Sequence, residues 1–324
     1  MLNLPKKQII VTCNYEARRR GLRKLQLIAE AKKIVPDVVI LLGEELGRFR
    51  DASKSLYRFL ESFTWSGKVE RLGFDEVFLD VTDIIDYNRS LLNPVDLTRS
   101  FFYLKRNDPT VGFEFDASQI CGPIYPNETQ PPLTSSADGL DLRIRLILGS
   151  HLAQHLRLRL EEEKGYTSTV GISTNKLLSK LVGNLNKPKS QTTLLDPYDD
   201  ALGGEEEVAV ERPSEGNVRA FMDSHEIGKI PGIGFKMARR IRNHLLSKPL
   251  EFDDGRDWTG GREAITVHDV RLFPGMGPET LEQILGGPGA ERGIGGKAWA
   301  LINGIDDSEV QQAKKVPTQI SIEE

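Results

Sequence analysis

The stretch Val69-Glu70-Arg71-Leu72-Gly73-Phe74-Asp75-Glu76-Val77-Phe78-Leu79-Asp80-Val81-Thr82-Asp83 sets two adjacent carboxylates after a glycine, at the head of a strongly β-prone run. From Val77 onward the residues alternate, with Val77, Leu79 and Val81 on one face and Phe78, Asp80 and Thr82 on the other. That is the period of a strand. Neighbouring side chains on a regular strand point to opposite faces, so Asp75 and Glu76 serve one site only at a hairpin tip or a bulge. Gly73 supplies the backbone freedom for either. Paired carboxylates in that position suit a hard divalent cation, which takes one or two of them and completes its shell with phosphate oxygens and water. The plainer reading is an acidic turn facing solvent, and the rest of the chain has to decide between the two.

At 324 residues the chain has room for two or three domains, each with its own core. Its longest aliphatic run, Val38-Val39-Ile40-Leu41-Leu42, is far too short to cross a bilayer. Lys6 and Lys7 precede only Ile9-Ile10-Val11, not the apolar core of a signal peptide, so an intracellular protein is expected. Cys13 and Cys121 make neither a disulfide framework nor a metal-ligand spacing, which fits a reducing compartment. The net charge of −4 argues against a nucleic-acid binder until its distribution is considered. Residues 1–50 hold eleven Lys/Arg against five Asp/Glu, 176–190 hold four lysines and 229–244 five Lys/Arg, the last two stretches without an acid. The offsetting acids gather between Asp196 and Glu211, which reads as a solvated loop or insertion. A basic cleft in an acidic protein is consistent with this pattern.

In chain order, residues 7–13 read as a buried strand ending at Asn14, followed by Tyr15 and the cluster Arg18-Arg19-Arg20. Leu25 to Lys33 is helical in composition and Val38 to Leu42 reads as a second strand, together a small α/β unit. Phe49 to Phe63 places Ala52, Leu56, Phe59, Leu60 and Phe63 on one helical face. Residues 86–139 are rich in proline, so a short helix near Leu97 to Leu104 and otherwise loop, an insertion, is expected. Leu140 to Glu163 is a long amphipathic helix stopped by Gly165. Thr169 to Ser173 is a strand, and Thr174 or Asn175 caps a helix bearing Lys176 and Lys180 beside Leu177, Leu178, Leu181 and Val182. These elements point to an α+β arrangement, an antiparallel sheet with helices on one face.

Beyond the acidic stretch, Ile230-Pro231-Gly232-Ile233-Gly234-Phe235-Lys236-Met237-Ala238-Arg239-Arg240-Ile241 carries a helix-hairpin-helix signature. Gly232 and Gly234 permit a tight turn with backbone N–H groups exposed at a helix start, an arrangement suited to phosphate. Lys236, Arg239 and Arg240 add positive charge, while an ordinary αα-turn is the plainer alternative. Leu272-Phe273-Pro274-Gly275-Met276-Gly277-Pro278 echoes the pattern without the basic helix and is expected to serve packing only. Val316 to Glu324 reads as a strand with nothing after it to pair with.

Four segments taken together resemble the Y-family translesion DNA polymerases, in matching order from about Lys6 to Glu324. They are Val11 to Arg18, Arg71 to Glu76, Gly171 to Lys176 with Asn186-Lys187-Pro188, and Ile230 to Gly234. The resemblance overturns the solvent-turn reading of Asp75-Glu76. It implies most of the fingers in residues 1–46, a palm in 47–197 with the insertion near 86–139, a helix-hairpin-helix thumb in 198–315 and the opening of a little finger in 316–324. It further implies that Asp75 and Glu76 are catalytic and hold Mg²⁺ or Mn²⁺, and that Tyr15, Arg18 and Lys187, with Thr12 and Lys24, hold the incoming deoxynucleoside triphosphate. Gly232, Gly234, Lys236 and Arg239 would grip the backbone of primer-template DNA without reading sequence. A nuclear location follows from the resemblance, with replication accessory proteins engaged through regions outside this sequence. The family's first palm strand, bearing Asp-x-Asp, has no counterpart before Leu4, and no little finger follows Glu324, so little primer extension is expected of this chain by itself. Two other readings are a truncated, non-catalytic DNA-binding remnant and a helix-hairpin-helix repair nuclease. The nuclease reading leaves Tyr15, Arg18 and Lys187 without a common role.

Overall fold

The computed structural model describes residues 8–41, 46–127, 137–195, 216–247 and 264–312 of the chain. Two compact units divide it, Met1–Ser53 and Lys54–Glu324.

In the first unit, α1 (Tyr15–Arg19) is capped by Asn14, whose side-chain oxygen accepts from the Ala17 amide. Helix α2 (Ile28–Ile34) follows, and Leu22, Ala31 and Val35 form a small core with Ile10, Cys13, Ala17 and Val38 packed against it. Neither strand expected here forms. The 7–13 stretch contributes a single bridge, Ile9 to Leu27, and Val39 and Leu41 are 82% and 86% exposed; Leu42 lies outside the described residues. The reason is physical. β-branched runs extend into strands only where a partner and a buried face continue; Gln8 and Ile10 share backbone hydrogen bonds with Leu25, Gln26 and Ile28, but a core of three buried side chains gives the run no longer face to cover. Helix α2 starts at Ile28 rather than Leu25 because Leu25 sits at φ 62°, outside the helical region.

Helix α3 (Leu46–Glu61) contains the Ser53–Lys54 position at which the units divide and holds the expected Phe49–Glu61 part of its span. Strands β1 (Val69–Leu72) and β2 (Glu76–Leu79) pair antiparallel with Leu72 opposite Glu76. The β2 strand is shorter than the alternation suggested. Asp80 accepts the Thr82 amide at 3.0 Å, and helix α4 (Thr82–Ser90) starts at once. Residues 97–104, expected to be helical, instead hold strand β3 (Ser100–Tyr103), which pairs antiparallel with β4 (Gly112–Phe115). The aromatic run Phe101-Phe102-Tyr103 explains this, because such side chains fit a pleated, half-buried surface. Nor is the region otherwise loop as far as residue 127. Ile84, Ile85, Phe102, Phe115 and Ala117 form one core with Leu148, Leu152 and Leu156 of the long helix α5 (Ala137–Lys164). His155 of α5 stacks on Phe113 in the same cluster, with 4.4 Å between ring centroids.

A three-stranded sheet completes this layer. It orders β5 (Ile124–Tyr125), β7 (Gln191–Leu194) and β6 (Val170–Ile172), with β7 central and buried throughout. Its strands are parallel rather than antiparallel, since β6 reaches β7 through helix α6 (Lys176–Val182) and such crossovers join parallel neighbours. The α+β class holds, distributed over three small sheets instead of one. Asn175 caps α6 by accepting the Leu178 amide, and Gly165, at φ 71°, ends α5. The acidic stretch from Asp196 to Glu211 lies outside the described residues.

The C-terminal part is helical. Helices α7 (Asn217–Asp223), α8 (Phe235–Leu245), α9 (Val267–Leu272), α10 (Pro278–Leu285) and α11 (Ile294–Ile302) share one core around Phe221, Met222, Ile230, Ile241, Val270 and Leu281. That core also takes in Leu177 and Leu178 of α6. The strand-like tail 316–324 lies outside the described residues. Among the described residues no helix is long and apolar enough to cross a membrane.

One contact fixes α6 against β6. A Cβ on Gly171 would stand 1.9 Å from the Ser179 carbonyl oxygen and 2.6 Å from the Gly183 amide nitrogen, both backbone atoms that have no rotamer to change. Gly171→Ala should therefore destabilise the chain by about 3 kcal/mol or more, at the upper end of overpacking costs. Thermal melting followed by circular dichroism checks this, and an unchanged midpoint would refute it.

Candidate active site

Gly73, at φ +74°, turns the chain from β1 to β2 and leaves Asp75 exposed in the turn with Glu76 as the first residue of β2. The tip geometry required for the two carboxylates to share a site is thus present. Cross-strand partners share a face, so the pairings Leu72 to Glu76 and Glu70 to Phe78 place all four residues on one side of the hairpin. Arg71, on the other side, lies over the Tyr57 ring, 4.4 Å from its centroid.

Helix α6 lies against the first of these faces. Lys176 and Lys180, one turn apart, each reach a glutamate. The Lys180 Nζ is 2.9 Å from the Glu76 Oε2, and the Lys176 Nζ is 3.0 Å from the Glu70 Oε2. The two pairs differ in exposure, 33% and 46% for the outer side chains against 13% and 23% for the inner ones. The outer pair is therefore weak and exchangeable, and the inner one is shielded from water. Asp80, the next acid along, is occupied elsewhere. Burial works against its charge, but hydrogen bonds from Thr82 and the nearby Lys68 ammonium hold its carboxyl below the usual range. Among the described residues no three His, Cys, Asp or Glu side chains converge, so the tip offers a pair of carboxylates.

The other residues singled out from sequence fall in three places. In the first unit, the Arg18 guanidinium lies 5.1 Å from the Tyr15 ring centroid while its Nε donates to the Cys13 carbonyl at 3.1 Å, so these two side chains converge at α1. Thr12 and Lys24 are exposed, in irregular chain and a turn respectively. In the second unit, Lys187 is exposed on the connection from α6 to β7. Around α8, Gly232 is at φ +90° and Gly234 precedes the helix, whose start has no side-chain cap. Lys236 is exposed and Arg239 half-buried. Arg240 is exposed, with its Nη1 donating to the Leu285 carbonyl at 3.0 Å.

Sequence reading passed over Glu70 and the partners of Lys176 and Lys180. The lysine spacing of four on a helix with an apolar opposite side was visible, but which glutamates they meet depends on a strand register that only the folded chain supplies.

This set of small sheets and helices, with a carboxylate hairpin on one and a glycine turn leading into a basic helix on the other, has the fold of a Y-family DNA polymerase. The solved structure of the Y-family DNA polymerase chimera Dbh-Dpo4(243-245)-Dbh superposes with a TM-score of 0.56 at 17% identity, covering 96% of this chain and 60% of that one. Residues 2–184 match the model of the impB/mucB/samB family, and the chain belongs to that family. DNA polymerase iota of Homo sapiens is 32% identical over 292 residues, which cover 90% of this chain and 30% of the relative. DNA polymerase iota of Drosophila melanogaster is 36% identical over 197 residues, 61% of this chain and 23% of the relative. DNA polymerase eta of the same fly is 27% identical over 250 residues, 72% of this chain and 26% of the relative. The chain thus spans roughly a quarter to a third of the length of these relatives.

The two hairpin glycines are not equivalent. A Cβ on Gly232 would approach the Leu301 Cδ1 to 2.7 Å from a left-handed backbone, whereas one on Gly234 meets nothing within 4 Å. Gly232→Ala should cost about 1–2 kcal/mol of stability from the backbone alone, with the Leu301 clash added, and Gly234→Ala, which puts a poorer residue at the start of α8, less than about 1 kcal/mol. Paired urea melts of the two variants check the difference, and equal midpoints would refute it.

Proposed function

We propose that this chain supplies part of a polymerase that carries out template-directed nucleotidyl transfer opposite damaged DNA, in the nucleus, with primer-template DNA and deoxynucleoside triphosphates as substrates. The observation that carries the reading is the placement of Asp75 and Glu76 side by side at an exposed, glycine-turned hairpin tip in a chain of this family.

The tip fits a hard cation. Its two carboxylates are oxygen donors, and Glu76 already holds a positive ammonium group at 2.9 Å. Two such ligands suit one Mg²⁺ or Mn²⁺ whose other positions go to phosphate oxygens and water. When bound, the ion would supply Lewis-acid stabilisation of charge on the transferred phosphoryl group. Asp75 and Glu76 would hold it, and Lys180 would release Glu76 as it enters. Arg18 and Tyr15, with Thr12 and Lys24, would orient the triphosphate, Arg18 through its fork of donors. Lys187 would add a point charge. The uncapped start of α8, with Lys236 and Arg239, supports a helix-hairpin-helix reading in which backbone N–H groups take a DNA phosphate.

Two experiments test this. Mn²⁺ titration followed by electron paramagnetic resonance should show binding that is lost in Asp75→Asn/Glu76→Gln and strengthened in Lys180→Gln, where the competing ammonium is gone. Equal affinity in wild type and the double variant would remove the tip from the mechanism. For DNA, Lys236→Glu should weaken binding to every sequence alike and lower the slope of log affinity against log salt by ~1, while Gly234→Val weakens it with the fold intact. An unaltered slope and affinity in both would dismiss the α8 contact.

A further inference from the structure

Residues 304–312, which follow α11, lie across the carboxylate hairpin and are tied to it at several points. The Glu70 Oε2 accepts both the Lys176 ammonium at 3.0 Å and the Gln311 backbone amide at 2.9 Å. Lys176 donates a second time, to the Glu309 carbonyl at 2.9 Å, and sits 5.9 Å from the Phe78 ring centroid. On one side the Asn175 amide group donates to the Gly304 carbonyl at 2.9 Å, and on the other the Gln312 side chain donates to the Ser66 carbonyl at 2.7 Å. Lys68 lies between Asp80 and Glu309, 3.7 Å and 3.6 Å from their carboxylates.

We propose that Glu70 and Lys176 are positioning residues, a latch that joins the hairpin, α6 and residues 304–312 and thereby sets the cation affinity of the Asp75-Glu76 tip. The inference rests on the cation reading given above. A two-stranded hairpin is marginal without a supporting face, and this ladder has four residue pairs. Its base is held on the other face by Tyr57, whose hydroxyl donates to the Val69 carbonyl and whose ring lies under Arg71, but at the tip itself the one ion pair among the described residues is the Lys180–Glu76 contact, which is worth little and which a cation would displace. What then fixes the orientation of Asp75 and Glu76 is the shielded pair behind them, on the same face and two residues down β1 from the partner of Glu76. A shielded ion pair is weak evidence for stability in itself, since apolar replacements are often as good. Here it also fastens the segment that leaves the helical part, so the tip and that segment move as one.

The test uses residues 1–324 throughout. Glu70→Gln keeps shape and removes charge, and Lys176→Met keeps the stem and removes the ammonium. Each should weaken Mn²⁺ binding about tenfold, the scale seen when a group that orients a metal ligand from behind is removed. The double variant should be no weaker than the worse single one. Hydrogen exchange should rise together in residues 70–77 and 305–312 in either variant and stay unaltered in α5. The inference is overturned by unchanged Mn²⁺ affinity, by additive losses, or by exchange that rises throughout the second unit, which would mark a purely structural brace. Failure of the underlying cation reading is separately visible, because Asp75→Asn/Glu76→Gln would then bind Mn²⁺ as wild type does.

Discussion

The contact between Gly171 and the far end of α6 is the constraint from which the rest of the second unit follows. Backbone meets backbone there, with no side chain between β6 and the Ser179 and Gly183 atoms of the helix. That approach puts Leu177, Leu178, Leu181 and Val182 into the large core shared with the C-terminal helices, and turns Lys176 and Lys180 towards the β1–β2 hairpin. One helix therefore touches the parallel sheet, the helical part and the carboxylate hairpin. A shift of an ångström in α6 would be felt at all three, because packed interiors transmit strain rather than absorb it.

Where the sequence carried its own local physics, it could be read. Gly73, Gly165 and Asn175 each announced a turn, a stop or a cap, and all three do that work. Helix α3 was visible as an apolar stripe, and α5 as a long helix, although α5 is buried on more than one side, with Leu146, Ile147 and Leu148 in succession all buried. The failures share a cause. Residues 8–13 have strand composition but pair only briefly, with 25–28, residues 38–41 have no ladder partner among the described residues, and 97–104 has aromatic chemistry that favours a ladder with 112–115. In each, a tertiary partner decided, and a partner many residues away leaves no local mark. The site divides in the same way. Asp75 and Glu76 stood out as adjacent carboxylates after a glycine, whereas Glu70 is one acid among many until the register puts it on the face of Glu76.

Charge distribution shows how little a count of basic residues says about a surface. Of the four lysines in 176–190, Lys176, Lys180 and Lys189 have acidic partners in Glu70, Glu76 and Glu161, and only Lys187 has none among the described residues. The N-terminal cluster is similarly occupied, with Arg19 on Glu16 and Arg20 making two hydrogen bonds to Asp37. Basic islands of this kind hold a local structure first. They reach a polyanion through the side chains left over, or by exchanging an internal carboxylate for a phosphate where the pair is exposed and weak.

The helix starts of the C-terminal part explain why one glycine turn there suits an anion and its echo does not. Asp269 occupies the start of α9 in a capping box with Thr266, and both carboxylate oxygens of Glu282 take amides at the start of α11, from Gly293 and Gly295. These two termini already carry the negative charge that a helix dipole favours. Helix α10 opens with Pro278, which has no N–H to offer, and with Glu279 in its first turn, which repels an anion. Helix α8 has neither device. No acid lies in its first turn, no side chain caps it, and Lys236 follows directly. Gly232-Ile233-Gly234 and Gly275-Met276-Gly277 both turn the chain into a helix, but only the first leads to a helix start without a side-chain cap, a proline or an acid in its first turn, and that difference lies in the residues after the turn.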